Sequence, residues 1–422
     1  MIDIKRIINE TEYVRNALLK RMDLKDLDLE GVIDLYDKKQ DALKRFEQLR
    51  AEQNSYNEKM ASTDKGSDEF KKLVADLKAK SSEVKEAEDQ VKTADEALTH
   101  AVEILPNIPD DDVLPGEKEN NQIERTFGEK PTFDFELKDH TVLADELGIF
   151  DFERAAKIGG AQMAMYVGDG ALLEWALLQF FIREHVKDGY TMILPPHLLT
   201  EQSAYVAGQL PKFRDDVYWT TDGSCLLPTA ETALANLYRD EILEEAELPR
   251  KLFAYTPCYR KEAGSYRANE RGLIRMHQFN KVEMFQYTTE EGSDEAFIEL
   301  VNKAANLVEK LGLHHNVMKL AAGDCSAGMA KTYDIEVYLP VLDRYIEVSS
   351  ISNARDYQTR RGNMRYRPTD GGKPKLMHSL NASGLATSRL MVAIVETYQN
   401  PDGSITIPEV LREFIGKDKI SR

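Results

Sequence analysis

The densest concentration of chemically capable side chains lies in "YRKEAGSYRANERGLIRMHQFNKVEMF", residues 259–285. Arg260, Lys261, Arg267, Arg271 and Arg275 stand there against Glu262 and Glu270, followed by His277, Phe279 and Glu283. Alternate residues of an extended chain share a face. That puts Arg260 with Glu262, and Arg275 with His277, Phe279, Lys281 and Glu283. A hairpin would bring the two rows together. Cations gathered on a sheet face need an anion, and a triphosphate matches several arginines at once through bidentate hydrogen bonds. Phe279 offers a surface for a stacked purine, and Glu283 a carboxylate for an amine or hydroxyl. The competing reading is a solvated, charged hairpin.

Three other stretches could complete such a site. In "RYIEVSSISNARDYQTRRGNMRYR", residues 344–367, Glu347 and Ser350 are oxygen donors on an expected strand, suited to a hard cation shared with phosphate. Arg355, Arg360, Arg361, Arg365 and Arg367 follow, and at least half of them read as surface charge or internal salt bridges. In "HSLNASGLATSRLMVAIVETYQ", residues 378–399, Asn381, Ser383 and Gly384 read as a turn into a helix that carries Arg389. The start of that helix would favour an anion, although an ordinary capped core helix fits equally well. In "LLPTAET", residues 226–232, Thr229 and Glu231 could meet a small polar ligand, a signal without force alone. Neither a Walker-type loop nor a dinucleotide fingerprint is present, so a nucleotide would need another device.

The elements that must carry these residues fall into two rhythms. From about residue 30 to 105 the apolar positions follow heptad steps. Val32, Leu35, Ala42, Phe46, Leu49, Tyr56 and Met60 form one seam, and Phe70 through Leu105 another. Lys39, Gln53 and Lys80 interrupt the seams. Asp64, Gly66 and Ser67 predict a reversal between them, giving an antiparallel hairpin of roughly 50 Å. The pattern is compatible with an oligomerising coiled coil and with a partner-reading arm; Lys59, Lys65, Lys71, Lys72 and Lys78 lie near its tip. Pro106, Pro109 and Pro115 predict a linker. The sequence thus divides into an arm, 1–105, and a second region, 106–422. Beyond the linker, short β-type runs alternate with helices in an order that predicts an α+β fold, an antiparallel sheet flanked by helices.

Bulk properties set limits. The 422 residues exceed what one core usually organises. A formal charge of −18 argues against indiscriminate polyanion binding, while leaving room for local basic patches. No run of apolar residues is long enough for a membrane span, and the first residues lack a signal-peptide pattern. Cys225, Cys258 and Cys325 lack metal-ligand or redox spacing, so neither zinc nor disulfides are expected, and a reducing, cytoplasmic setting is.

The motifs, in this order, resemble the bacterial-type seryl-tRNA synthetases, members of the class II aminoacyl-tRNA synthetases. The resemblance covers the hairpin arm, "GQLPKF", "PTAE", "YRKEAGS", "RGLIRMHQFNKVEMF", "KTYDIEVYLP", "EVSSISN" and "LNASGLA" with its following arginine. It implies an antiparallel class II catalytic sheet and formation of seryl-adenylate from serine and ATP. Serine then passes to tRNA(Ser), and to tRNA(Sec) where that exists. It also implies an arm that reaches the tRNA, and a homodimer built on the helix from about Ala171 to Lys187 with the following Pro195 and Pro196. By the same resemblance Arg260 meets the α-phosphate, Glu262 the adenine amino group, and Arg275 and Arg389 the γ-phosphate, with adenine stacked on Phe279. Glu347 and Ser350 hold Mg²⁺ and phosphate oxygens, while Lys261, Val348 and Ser349 flank the ATP. Thr229, Ala230 and Glu231 form the pocket for the serine amine, and Glu283 and Ser383 that for its hydroxyl.

The chain departs from the family in two places. Ala382 and Ser388 replace glycines, where added atoms could crowd ATP or serine. Arg267 and Ala268 alter the loop that meets the tRNA acceptor end. Two rival classes remain: a paralogue that loads a carrier protein, against which the full arm speaks, and a non-catalytic relative, against which Arg260, Glu262, Glu283, Glu347 and Arg389 speak.

Overall fold

The computed structural model describes residues 1–262 and 272–422. Arg267, Ala268 and Arg271 lie outside the described residues. The chain divides into two compact units, Met1–Pro106 and Asn107–Arg422.

In the first unit the heptad seams become α1 (Leu29–Ser62) and α2 (Asp68–Glu103), packed along their length. Asp28 caps α1 by accepting from the Gly31 N–H at 2.8 Å, and Ser67 caps α2 by accepting from the Phe70 N–H at 3.1 Å. Asp64 accepts from the Gly66 N–H at 3.1 Å and so closes the reversal. The interruptions of the seam have partners across it. Lys39 pairs with Asp95 at 2.5 Å, Lys80 with Glu52 at 2.7 Å, and Gln53 donates to Ser81 Oγ at 2.8 Å. A heptad broken by such pairs loses some burial, but the pairs hold one register. Lys59, Lys65, Lys71, Lys72 and Lys78 are all exposed.

In the second unit eight strands form one sheet: β1 (Gln122–Phe127), β2 (Thr191–Ile193), β3 (Arg250–Tyr259), β4 (Gln278–Thr288), β5 (His315–Lys319), β6 (Lys331–Leu339), β7 (Arg344–Arg355) and β8 (His378–Ala386). Their order is β1-β5-β6-β7-β8-β4-β3-β2, antiparallel throughout except for β2 beside β3. Helices α3 (Asp169–Lys187), α4 (Ser293–Lys310) and α5 (Thr387–Thr397) pack on one face. Leu173, Phe181, Phe297, Leu300, Leu390 and Ile394 meet Val282, Met284, Ile335, Val337, Ile351 and Leu380 there. Each such side chain, fully withdrawn from water, contributes about 1.5–3 kcal/mol. β4 shows the alternation that divides the sheet: Val282 and Met284 enter this core, while Phe285 and Tyr287 join a second cluster with Ala230, Leu234 and Tyr366.

Three expectations are corrected. The turn expected at Asn381, Ser383 and Gly384 is the interior of β8, and α5 begins only at Thr387. Pairing of Asn381 to both β7 and β4, and of Ser383 to β4, outweighs the local turn preference. The strand expected to carry Arg260 and Glu262 stops at Tyr259, and Glu262 takes a left-handed φ of 54°. Similarly, β4 begins at Gln278, so Arg275 and His277 precede it. The predicted linker begins at the boundary between the two units. Asn107 is buried and donates to the carbonyls of Gly328 at 3.0 Å and Ala354 at 2.8 Å.

Candidate active site

Two adjoining cavities open on the sheet face away from the core under α4, the smaller of them reaching the first turn of α5. The larger has a volume of about 610 Å³ and is lined among others by Thr229, Glu231, Arg260, Glu347, Ser350, Asn381 and Ser383. The smaller, about 90 Å³, is lined by Phe279, Val348, Ser388 and Arg389 among others, and shares Arg260, Glu262, Arg275 and Lys281 with the first. Fifteen residues were expected at a site. Eleven of them, Thr229, Glu231, Arg260, Glu262, Arg275, Phe279, Glu347, Val348, Ser350, Ser383 and Arg389, line one cavity or both, and Glu283, fully buried, is bonded to the cavity-lining Asn381. Ala230, Lys261 and Ser349 sit elsewhere. Ala230 is wholly buried below the pocket, Lys261 lies over the Tyr218 ring, and Ser349 donates inward to the Ser383 carbonyl at 2.5 Å.

At the acidic end, the short helix Ala230–Leu234 starts at Thr229, whose hydroxyl accepts from the Glu231 N–H. Glu231 is held from two sides. Gln358 Nε2 donates to Oε1 at 2.7 Å and Asn381 Nδ2 to Oε2 at 3.3 Å. The same Asn381 amide donates to Glu283 Oε1 at 3.1 Å, while Lys281 pairs with Glu283 at 2.7 Å and donates to Thr229 Oγ1 at 2.8 Å. Burial pushes the Glu231 carboxyl up to about 7, helped by the charge on Glu283 and opposed by Lys281. Two buried carboxylates with fixed orientation form a receptor for one cationic and one hydroxyl group.

At the cationic end, Arg260 lies over the Phe279 ring at 5.3 Å and donates to the Pro228 carbonyl at 3.2 Å. Its backbone is clamped to His277: Arg260 N–H donates to the His277 carbonyl at 2.9 Å, and His277 Nδ1 lies 3.0 Å from the Arg260 carbonyl. Arg275 pairs with Glu262. Arg389, on the first turn of α5, donates to the Glu347 carbonyl at 2.8 Å and lies 3.5 Å from its carboxylate.

A carboxylate cluster, Asp334, Glu336 and Glu347, also lines the larger cavity. A bulge in β7 falls between Glu347 and Ser349, so Glu347 pairs with Glu336 and Ser350 with Asp334. Without the bulge, residues three apart would face opposite ways; with it, Glu347 and Ser350 share the cavity face. Burial, with the Glu347 charge second, pushes the Asp334 carboxyl well above the ordinary range, and its Oδ1 has no partner among the described residues. An all-oxygen set with a buried, unpartnered donor fits a hard divalent cation.

Sequence reasoning missed Gln358, Asp334 and Glu336, and treated Asn381 only as a turn residue. Asn381 had a usable signal, since it stands two residues before Ser383 and shares its face once the segment is a strand. The arginines at and beyond the end of β7 are largely internal ties. Arg355 pairs with Asp110 and Asp294, Arg360 with Asp356, and Arg361 donates to the carbonyls of Tyr205 and Leu210. Of the two unusual residues, Ala382 faces the helical core beside Met284 and Ile351, away from both cavities; Ser388 lines the smaller one.

An antiparallel sheet with cations, stacked aromatic and carboxylates on one face is the arrangement of a class II aminoacyl-tRNA synthetase core. The family model described as tRNA synthetase class II core domain (G, H, P, S and T) matches residues 218–398, and that described as Seryl-tRNA synthetase N-terminal domain matches residues 1–109. A serine–tRNA ligase 2 of Clostridium acetobutylicum is 50% identical over 427 residues, covering 100% of both chains. A serine–tRNA ligase of Petrotoga mobilis is 44% identical, again over 100% of both. The crystal structure of seryl-tRNA synthetase from Pyrococcus horikoshii complexed with ATP matches with a TM-score of 0.92 at 31% identity, covering 100% of this chain and 99% of that one. The chain belongs to the seryl-tRNA synthetase family.

Proposed function

We propose that this chain is a serine–tRNA ligase acting in the cytoplasm. It activates L-serine with ATP and transfers serine to the 3′-terminal adenosine of tRNA(Ser), and of tRNA(Sec) where present. The observation that carries the reading is the pair Glu231 and Glu283, tied by one asparagine at the bottom of a cavity whose other wall holds Arg260 and Arg275. Such a floor takes an ammonium on Glu231 and Thr229 and a hydroxyl on Glu283 and Ser383. Alanine would lack the hydroxyl that this floor of Glu283 and Ser383 is arranged to bond, and so lose that hydrogen bond in a buried site.

Phe279 stacks the adenine and Glu262 receives its amino group. Arg260 holds the α-phosphate, and Arg275 and Arg389 hold the γ-phosphate. A serine carboxylate oxygen attacks the α-phosphorus in line, and the bond to pyrophosphate breaks. The adenosine hydroxyl of the tRNA then attacks the carbonyl carbon of the seryl-adenylate, and AMP leaves. Positioning and charge neutralisation account for the catalysis. Glu347 and Ser350, with Asp334 beside them, would hold Mg²⁺, whose charge stabilises that of the phosphate oxygens.

The exposed tip lysines of the hairpin support its role as the tRNA-reading arm, with affinity falling as salt rises. Leu172, Trp175 and Val186 on α3 and Leu194 beyond it are exposed apolar groups, which supports this element as the homodimer face. Serine-dependent exchange of pyrophosphate into ATP, followed by charging of total tRNA with labelled serine, tests the proposal. Failure of exchange from folded, ATP-binding protein would sink it, and exchange without charging would favour the carrier-loading class.

A further inference from the structure

Glu174 belongs to none of the groups described above, yet it joins three of the elements that carry the site. It lies on the inner face of α3 and is 4% exposed. Its Oε1 accepts from Asn280 Nδ2 at 2.8 Å and from Thr387 Oγ1 at 2.6 Å. Asn280 follows Phe279 on β4, and its Oδ1 accepts from the Tyr255 hydroxyl at 3.2 Å. Thr387 is the first residue of α5, a helix whose N-cap, Ala386, offers no side-chain cap. Arg389 stands two residues further on. The Thr387 hydroxyl is also 3.1 Å from the Asn280 carbonyl, so β4 and the start of α5 meet at Glu174.

We infer that Glu174 is a positioning residue for ATP, fixing the aromatic of β4 and the arginine of α5 at one separation. This rests on the placement of adenine on Phe279 and of the γ-phosphate on Arg389. The physical reason is that a helix start without a cap is free to shift by fractions of an ångström. A buried acceptor gripping its first hydroxyl removes that freedom, at the point where a small displacement of a phosphate-binding arginine is costly. A role in packing alone would be served as well by an apolar side chain, and a buried carboxyl is expensive to keep for that purpose. Burial pushes its carboxyl up to about 7, and Oε2 and the nearby Tyr166 hydroxyl are both buried without partners among the described residues. Glutamine, a neutral acceptor of the same shape, should therefore serve in its place.

The test is pyrophosphate exchange with full-length Glu174→Gln, Glu174→Met and Thr387→Val, measuring KM for ATP and for serine separately, with Arg389→Ala beside them. Expected is a rise of about tenfold in KM for ATP in Glu174→Met and Thr387→Val, with KM for serine within about twofold, and wild-type behaviour in Glu174→Gln. If Glu174→Met does not fold, Thr387→Val carries the comparison. A folded Glu174→Met or Thr387→Val with wild-type KM for ATP overturns the inference, as do an equal rise for serine or a Glu174→Gln as damaged as Glu174→Met. If Arg389→Ala also leaves KM for ATP unchanged, the placement of ATP itself is wrong; if Arg389→Ala alone is impaired, only the role of Glu174 falls.

Discussion

Replacing Glu231 by glutamine should make the protein more stable and worse at its task. The carboxyl is buried and pushed from the ordinary 4.5 up to about 7, with burial the largest cause and the Glu283 charge the next. A carboxyl raised in the folded state binds its proton more tightly there than in the unfolded chain. Stability is therefore present at low pH and lost as pH rises between 4.5 and about 7. At 1.36 kcal/mol per pH unit, that interval amounts to about 3 kcal/mol as a ceiling at pH 8. Glutamine keeps the shape and an acceptor for Gln358 or Asn381, and removes the charge that is costly to bury. Glu231→Gln should accordingly unfold at higher denaturant concentration at pH 8, with the gain shrinking to nothing near pH 4.5.

Function should move the other way. The serine ammonium loses its charged partner, which in a desolvated site costs about 2 kcal/mol or more, roughly a 30-fold rise in KM for serine, with KM for ATP unchanged. Wild type should also show a rise in serine KM of about tenfold from pH 8 to pH 6, because only about one-tenth of Glu231 is ionised at the lower pH. The variant should lack that slope. Urea titration at two pH values and pyrophosphate exchange across the same range measure all of this. A destabilised variant at pH 8, or one that retains the wild-type pH slope, would refute the reasoning.

Other outcomes follow from the same geometry. Ala382→Gly should leave KM for ATP and serine within about twofold, because the methyl group faces the helical core, and should lower stability by about 1 kcal/mol in thermal unfolding. Changing Lys59, Lys65, Lys71, Lys72 and Lys78 together to glutamate should weaken tRNA charging at least tenfold and flatten its salt dependence, with serine-dependent pyrophosphate exchange untouched. Trp175→Glu, on the exposed apolar side of α3, should shift sedimentation from dimer toward monomer. An unchanged sedimentation coefficient would count against that face.

How much was legible in the residues differs from place to place. The hairpin was read almost residue by residue, because heptad spacing and the Asp64–Ser67 reversal are local signals. The partners of Lys39, Gln53 and Lys80 were not, since each is set by how the two helices slide past one another. On β4, alternation alone put Phe279, Lys281 and Glu283 on one face. On β8 the local reading failed, because Asn381, Ser383 and Gly384 favour turns in isolation, while Asn381 is paired to strands on both sides and Ser383 to β4.

By itself, then, the sequence determined the residue types of the site and their order along the chain, together with the two rhythms that separate arm from sheet. These depend on neighbours within a few residues, where spacing translates directly into a face or a turn. Tertiary structure decided which of them converge. The β7 bulge that brings Glu347 and Ser350 to one side exists only against β6. Asn381 reaches both Glu231 and Glu283 only because β8 lies beside β4. The raised carboxyls of Glu231 and Asp334 arise first from burial and then from the charges of Glu283 and Glu347 on neighbouring strands. These contacts join residues from about ten to 150 positions apart, through a bulge, a strand neighbour or burial that local spacing does not encode.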